Sequence, residues 1–118
     1  MLQLLNCFPV TIDASKNVTF PAQIVSYANL AYKTSNYTAT ISDINSIIEA
    51  SGNITITLPN SLAAGAQTTI VNVGTGVITL NASTLLTTDS SVALRNRYAG
   101  ASVVHKGSGV WYGFGNLK

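Results

Sequence analysis

The chain has 118 residues, room for one domain with its own core and too few for two domains of ordinary size. Apolar residues make up 47% of it and charged residues only 8%, against about 25% charged in soluble globular proteins, and no charge occurs between Glu49 and Asp89. The net charge of +2 comes from Lys16, Lys33, Arg95, Arg97, Lys106 and Lys118, scattered save for the pair at 95 and 97, so the dense basic stripe of a nucleic-acid binder is missing and nucleic acid is set aside as a partner.

A surface this poor in ions is either covered by neighbouring subunits or hydrated by Thr, Ser and Asn side chains. The abundance of β-branched Thr, Val and Ile suits a pleated sheet, so an all-β domain is expected before any motif is consulted. Cys7 is the only cysteine, which rules out an intramolecular disulfide and a cysteine-based zinc site; it reads as a reduced, buried thiol.

Residues 1–8 are apolar but are interrupted by Gln3 and Asn6 and stopped by Pro9, with no basic leader or cleavage site, so they do not read as a signal peptide. No apolar run approaches the roughly 20 residues needed to cross a bilayer, and membrane insertion is set aside. The texture changes near residues 33 and 34. Residues 1–33 read as an N-terminal anchoring arm in which Leu2, Leu4, Leu5, Phe8 and Val10 are the candidate capsid or partner contacts, the competing reading being an ordinary first strand plus loop. An extended arm of this kind adds to a neighbour's sheet edge and buries its leucines there. Residues 22–32 fit a helical turn or an extended arm equally well.

Residues 34–118 read as the β-domain. Within residues 41–50, Ile44, Ile47 and Ile48 fall at i, i+3, i+4 behind Ser42 as a candidate N-cap, which suggests a short helix. Residues 46–50 are also a short β-branched run leading into Ser51, Gly52 and Asn53, and strand is the favoured reading. NITITL (residues 53–58) alternates strictly, with Ile54, Ile56 and Leu58 on one face, and ends at Pro59. QTTIVNVG and GVITLNA form two further strands joined around Gly74, Thr75 and Gly76, read as a hairpin. Residues 91–95, 101–105 and 109–114 are the last candidate strands, separated by glycine-rich turns. Strands at intervals of about ten residues point to a single small antiparallel sandwich or barrel. Four Asn-x-Ser/Thr matches, at Asn17, Asn36, Asn53 and Asn81, read as a by-product of a Thr-rich and Asn-rich composition.

Catalysis lacks its parts. Asp13, Asp43, Glu49, Asp89 and the single His105 show no recognisable spacing for acid–base work or metal binding, so no catalytic residue, metal or cofactor is assigned. His105, close to Ser102, reads as a surface or interface histidine. Tyr98, Trp111, Tyr112 and Phe114 are candidate subunit-interface or glycan contacts: Val110, Tyr112 and Phe114 share one strand face, as a core or subunit-interface strand would, and Trp111 occupies the other beside Gly113 and Gly115.

Taken in order, YTAT (37–40), SIIEA, NITITLP, AGAQTTIVNVGTGVITLNA and SVVHKGSGVWYGFGN resemble the small β-domains of bacteriophage head-decoration (cement) and tail-fibre proteins. The matching positions are Leu58 and Pro59, Gly65, Asn72 and Gly74, and residues 109–112, and the likeness covers residues 34–118. It implies a homotrimer on the surface of a phage particle, made in the host cytoplasm. A chain beginning at Met1, with room for one domain and a short arm, fits a decoration protein that binds the major capsid protein better than a tail fibre. The alternative is a tail-fibre or receptor-binding module that recognises host surface polysaccharide.

Overall fold

A computed structural model describes residues 27–118, together with the strand assignments of Thr11–Ile12 (β1) and Val18–Thr19 (β2), which pair antiparallel in a ribbon of their own. The other strands are β3 (Leu30–Lys33), β4 (Tyr37–Thr38), β5 (Ile47–Ala50), β6 (Ile54–Thr57), β7 (Gln67–Asn72), β8 (Ile78–Asn81), β9 (Thr84–Leu86), β10 (Ala93–Leu94), β11 (Gly100–Gly107) and β12 (Val110–Gly115). Single 3-10 turns occur at Ile41–Asp43 and Thr88–Ser90, and no α-helix is present among the described residues. The strand preferred over helix near residue 48 is β5.

The ten strands form two sheets. One runs β3-β5-β7-β11-β12-β9 and the other β10-β8-β6-β4. Successive strands alternate between them: β3 then β4, β5 then β6, β7 then β8. Each pair is therefore one coil of about twenty residues, the scale of a solenoid repeat. Equivalent strands stack parallel, β3 on β5 on β7 in one sheet and β4 on β6 on β8 in the other. β11 and β12 then add antiparallel to β7, β10 adds antiparallel to β8, and β9 returns parallel to β12.

All-β is what composition leads one to expect, but the sheets are mixed and solenoid-like where an antiparallel sandwich or barrel was expected. The error has a local source. Residues 73–77 do not fold β7 and β8 into a hairpin; they turn the chain from one sheet into the other. A short corner and a short hairpin loop use the same small residues, and one-sided alternation suits a strand in either setting. What the corner adds is a close approach between coils. A Cβ on Gly76 would lie 2.5 Å from the carbonyl carbon of Gly52 in the coil before it, so only glycine fits.

The coils are also tied by asparagine. The Asn36 side-chain oxygen accepts the Thr55 N–H at 2.9 Å, and Asn53 accepts the Val77 N–H at 2.8 Å. Each residue stands immediately before its strand and bonds the next coil, so two of the four Asn-x-Ser/Thr matches are corner braces. Asn72, fully buried, does more. Its Nδ2 donates to the Gly76 and Leu94 carbonyls at 2.8 and 3.0 Å, and its Oδ1 accepts the Gly74 N–H at 3.0 Å. One amide thus satisfies the corner and locks it to β10.

Between the sheets lies a core built from ladder neighbours. Ile48 pairs with Ile70 and Ile70 with Ala101 on one side, while Ile56 pairs with Leu80, and Ile78 with Ile54 and Leu94, on the other. All are buried and belong to one cluster that also includes Leu58, Val103 and Trp111. Each Ile, Leu or Val among them contributes about 1.5–3 kcal/mol by leaving water.

The turn at Ile41–Asp43 closes the side of the first coil. Asp43 is buried, and its Oδ2 accepts from the Tyr37 hydroxyl at 2.6 Å and the Thr40 N–H at 2.7 Å. The Asp43 N–H in turn donates to the Thr40 carbonyl at 2.9 Å. The cap is thus Thr40 with Asp43, not Ser42, and Thr-x-x-Asp was the readable signal. Burial, and then the hydrogen bond to Asp43, push the Tyr37 hydroxyl above its ordinary value of 10.0.

Two outcomes are expected. Asn72→Ala strands three backbone groups and should lower unfolding free energy by about 3 kcal/mol in urea titrations, with the denaturant slope unchanged. Because the unfolded chain releases the Tyr37 proton at lower pH than the folded one, stability present below the ordinary tyrosine range is lost as pH rises above it. Ultraviolet titration should show a late-ionising component that disappears in Tyr37→Phe.

Candidate interaction face

Strand alternation sends one set of side chains of the six-stranded sheet into the core and the other set outward. The outward set forms three rows read off the pairing register. Leu30, Ile47, Thr69, Ser102 and Phe114 make the first; Tyr32, Glu49 and Val71 the second; Gln67, Val104, Tyr112 and Leu86 the third. Leu30, Tyr32, Leu86, Tyr112 and Phe114 are all exposed, Tyr32 at 62% and Phe114 at 57%. At about 4.8 Å between strands and about 3.3 Å per residue the face covers on the order of 400 Å². An apolar patch of that size on a monomer's surface usually has a function.

Its uncharged polar groups are paired internally. Thr69 Oγ1 lies 3.1 Å from Ser102 Oγ at the centre, and Gln67 Nε2 donates to Asn45 Oδ1 at 3.2 Å. A groove of about 430 Å³ opens here, lined by Ala28, Asn45, Ile47, Gln67, Thr69 and Ser102 among others. The charged side chains on these strands are Glu49 on β5, Lys106 at the end of β11, whose Nζ sits 5.9 Å from the Tyr112 ring centroid, and Lys33 at the end of β3, which shares the rung of buried Ala50 and places its Nζ 4.1 Å from the Tyr37 ring centroid.

The sequence candidates separate accordingly. Tyr112 and Phe114 lie on the outer face. Tyr98 is exposed on the loop before β11, with the Arg97 guanidinium 5.0 Å from its ring. Trp111 is 1% exposed and belongs to the core, which removes it from the contact candidates. Leu2, Leu4, Leu5, Phe8 and Val10 lie outside the described residues, as does the proposed arm apart from the β1 and β2 assignments and residues 27–33, of which Leu30–Lys33 is the edge strand β3.

His105 is also buried, where a surface or interface position was expected, and the reason is its partners. It stacks on Trp111 with ring centroids 4.7 Å apart. Its Nε2 accepts the Gly109 N–H at 3.1 Å, so the proton of the neutral ring sits on Nδ1 and is donated to the Leu62 carbonyl at 2.8 Å. Trp111 Nε1 donates to the Pro59 carbonyl at 3.1 Å. The two rings therefore clamp the loop between β6 and β7 over one end of the core. Gly109 permits this approach, since a Cβ there would lie 2.6 Å from Asn60 Oδ1. His105 faces inward and Ser102 outward, so they form no catalytic couple. Among the described residues no three His, Cys, Asp or Glu side chains converge as a metal site, and no helix is long and apolar enough to cross a membrane.

Leu30, Tyr32, Glu49, Val104, Lys106 and Leu86 were not singled out from sequence. LAYK and SVVHK carry the signal, because apolar residues occupy both faces of the strand and only one face can enter the core. No known protein family, curated protein or solved structure matches the chain.

Replacing Tyr112 and Phe114 together with Ser should leave thermal unfolding almost unchanged, within about 1 kcal/mol, while lowering self-association in sedimentation experiments. Trp111→Ala should instead cost about 3–5 kcal/mol of stability.

Proposed function

We propose that this chain is a non-enzymatic structural protein of a phage particle: a capsid decoration protein that associates with itself, as a homotrimer, and binds the major capsid protein on the head. The observation that carries the reading is the broad outward face of the six-stranded sheet, whose exposed Leu, Tyr and Phe side chains have no use in a solitary soluble molecule. Support also comes from the chain's low charge and from the resemblance of residues 34–118 to phage surface β-domains. Apolar burial and backbone pairing are the forces available to it, and salt screens these little compared with surface ion pairs.

A second reading places the same domain in a tail fibre, binding host polysaccharide. It is favoured by the exposed rings of Tyr112 and Phe114 on the same face as a groove lined with amides and hydroxyls. Aromatic faces with nearby neutral hydrogen-bonding groups suit sugars.

The tagged protein, located by electron microscopy on intact particles, should follow the head lattice in many copies and stay oligomeric in molar NaCl. Signal confined to the tail, with binding on a glycan array, would replace the decoration reading by the fibre reading; a monomer that binds no particle would end both.

A further inference from the structure

We propose that the outer face of the six-stranded sheet is occupied by a second copy of this chain, docked so that Glu49 of one copy meets Lys106 of the next. The inference rests on the self-association reading and specifies its geometry. The two charges sit in different halves of the face. Glu49 lies in the half made by β3 and β5, half-buried, with Tyr32 and Val71 as its ladder neighbours. Lys106 lies in the half made by β11, β12 and β9, exposed beside Tyr112.

Whatever covers this face must answer a carboxylate set among apolar neighbours. An apolar or acidic partner would desolvate Glu49 without compensation, which is strongly unfavourable. The fitting partner offers a flat apolar surface with one cation at its margin, and Lys106 with Val104, Tyr112, Phe114 and Leu86 is such a surface on this chain. The unlike halves also fix orientation. Docking like half on like half opposes two carboxylates or two ammonium groups, whereas docking unlike halves pairs them. In a two-fold pair the contact is made twice, Glu49 of each copy meeting Lys106 of the other; repeated head-to-tail around a higher axis it forms a ring such as a trimer where the rotation closes. Apolar area supplies the affinity and the ion pair selects the register.

The test uses the full chain and its charge-exchange variants in sedimentation velocity over a concentration series, with circular dichroism to show that each is folded. Glu49→Lys and Lys106→Glu should each weaken association by about tenfold or more, with the loss shrinking as salt is raised, since like charges then face each other. The double variant Glu49→Lys, Lys106→Glu should restore association to within about threefold of the starting protein. An oligomer that neither single change weakens, or that the double change fails to restore, overturns this pairing while leaving self-association standing. A monomer whose Tyr32 and Tyr112 side chains resist hydroxyl-radical labelling would mean that residues 1–26 of the same chain cover the face, and the proposal falls. A monomer with both side chains freely labelled sinks both this pairing and the self-association reading.

Discussion

The structure depends on stacking very short strands in register. None of β3 to β6 exceeds four residues, and a strand that short buries too little to hold a place by itself. It is held because each coil repeats the last: the same rung position is apolar in successive strands, so Ile48 meets Ile70 and Ile56 meets Leu80, and these side chains from the two sheets belong to one buried cluster. The corners enforce that register. Asn36, Asn53, Asn72 and the close fit at Gly76 fix the height of one coil relative to the next with directional bonds and excluded volume, which apolar packing alone does not specify.

Much of the local structure was legible because it follows from period-two alternation. NITITL announces β6 and its buried face, and the closing strands β11 and β12 are read in nearly their observed positions. Topology was less legible. Whether Gly74, Thr75 and Gly76 reverse a strand or carry it into a second sheet depends on residues a coil away, and the sequence of the corner is compatible with both. The repeat was nonetheless visible: TSNYTAT at 34–40 and SGNITIT at 51–57 share an Asn-x-Thr at the start of a strand. Both motifs also match glycosylation acceptors, and the backbone role of Asn36 and Asn53 follows only from the coil stacked beside each.

The outer face shows the same division. Tyr112 and Phe114 were identifiable as face-sharing residues from alternation within one strand. Leu30, Tyr32 and Glu49 join them only through the β3-β5-β7-β11 ladder, a relation spanning most of the chain. Trp111 and His105 were misplaced for a simple reason: a polar ring in a strand reads as a surface residue until its partners are known. Here those partners are carbonyls of the loop beyond Pro59 and the Gly109 amide, which together satisfy both rings inside the core.

That clamp makes the protein its own optical gauge. The only tryptophan in the chain stacks on the only histidine, and the indole N–H is spent on the Pro59 carbonyl. Release of the loop would separate the rings and admit water to the indole together, so the emission wavelength of one intrinsic fluorophore reports the seal at that end of the molecule without any label.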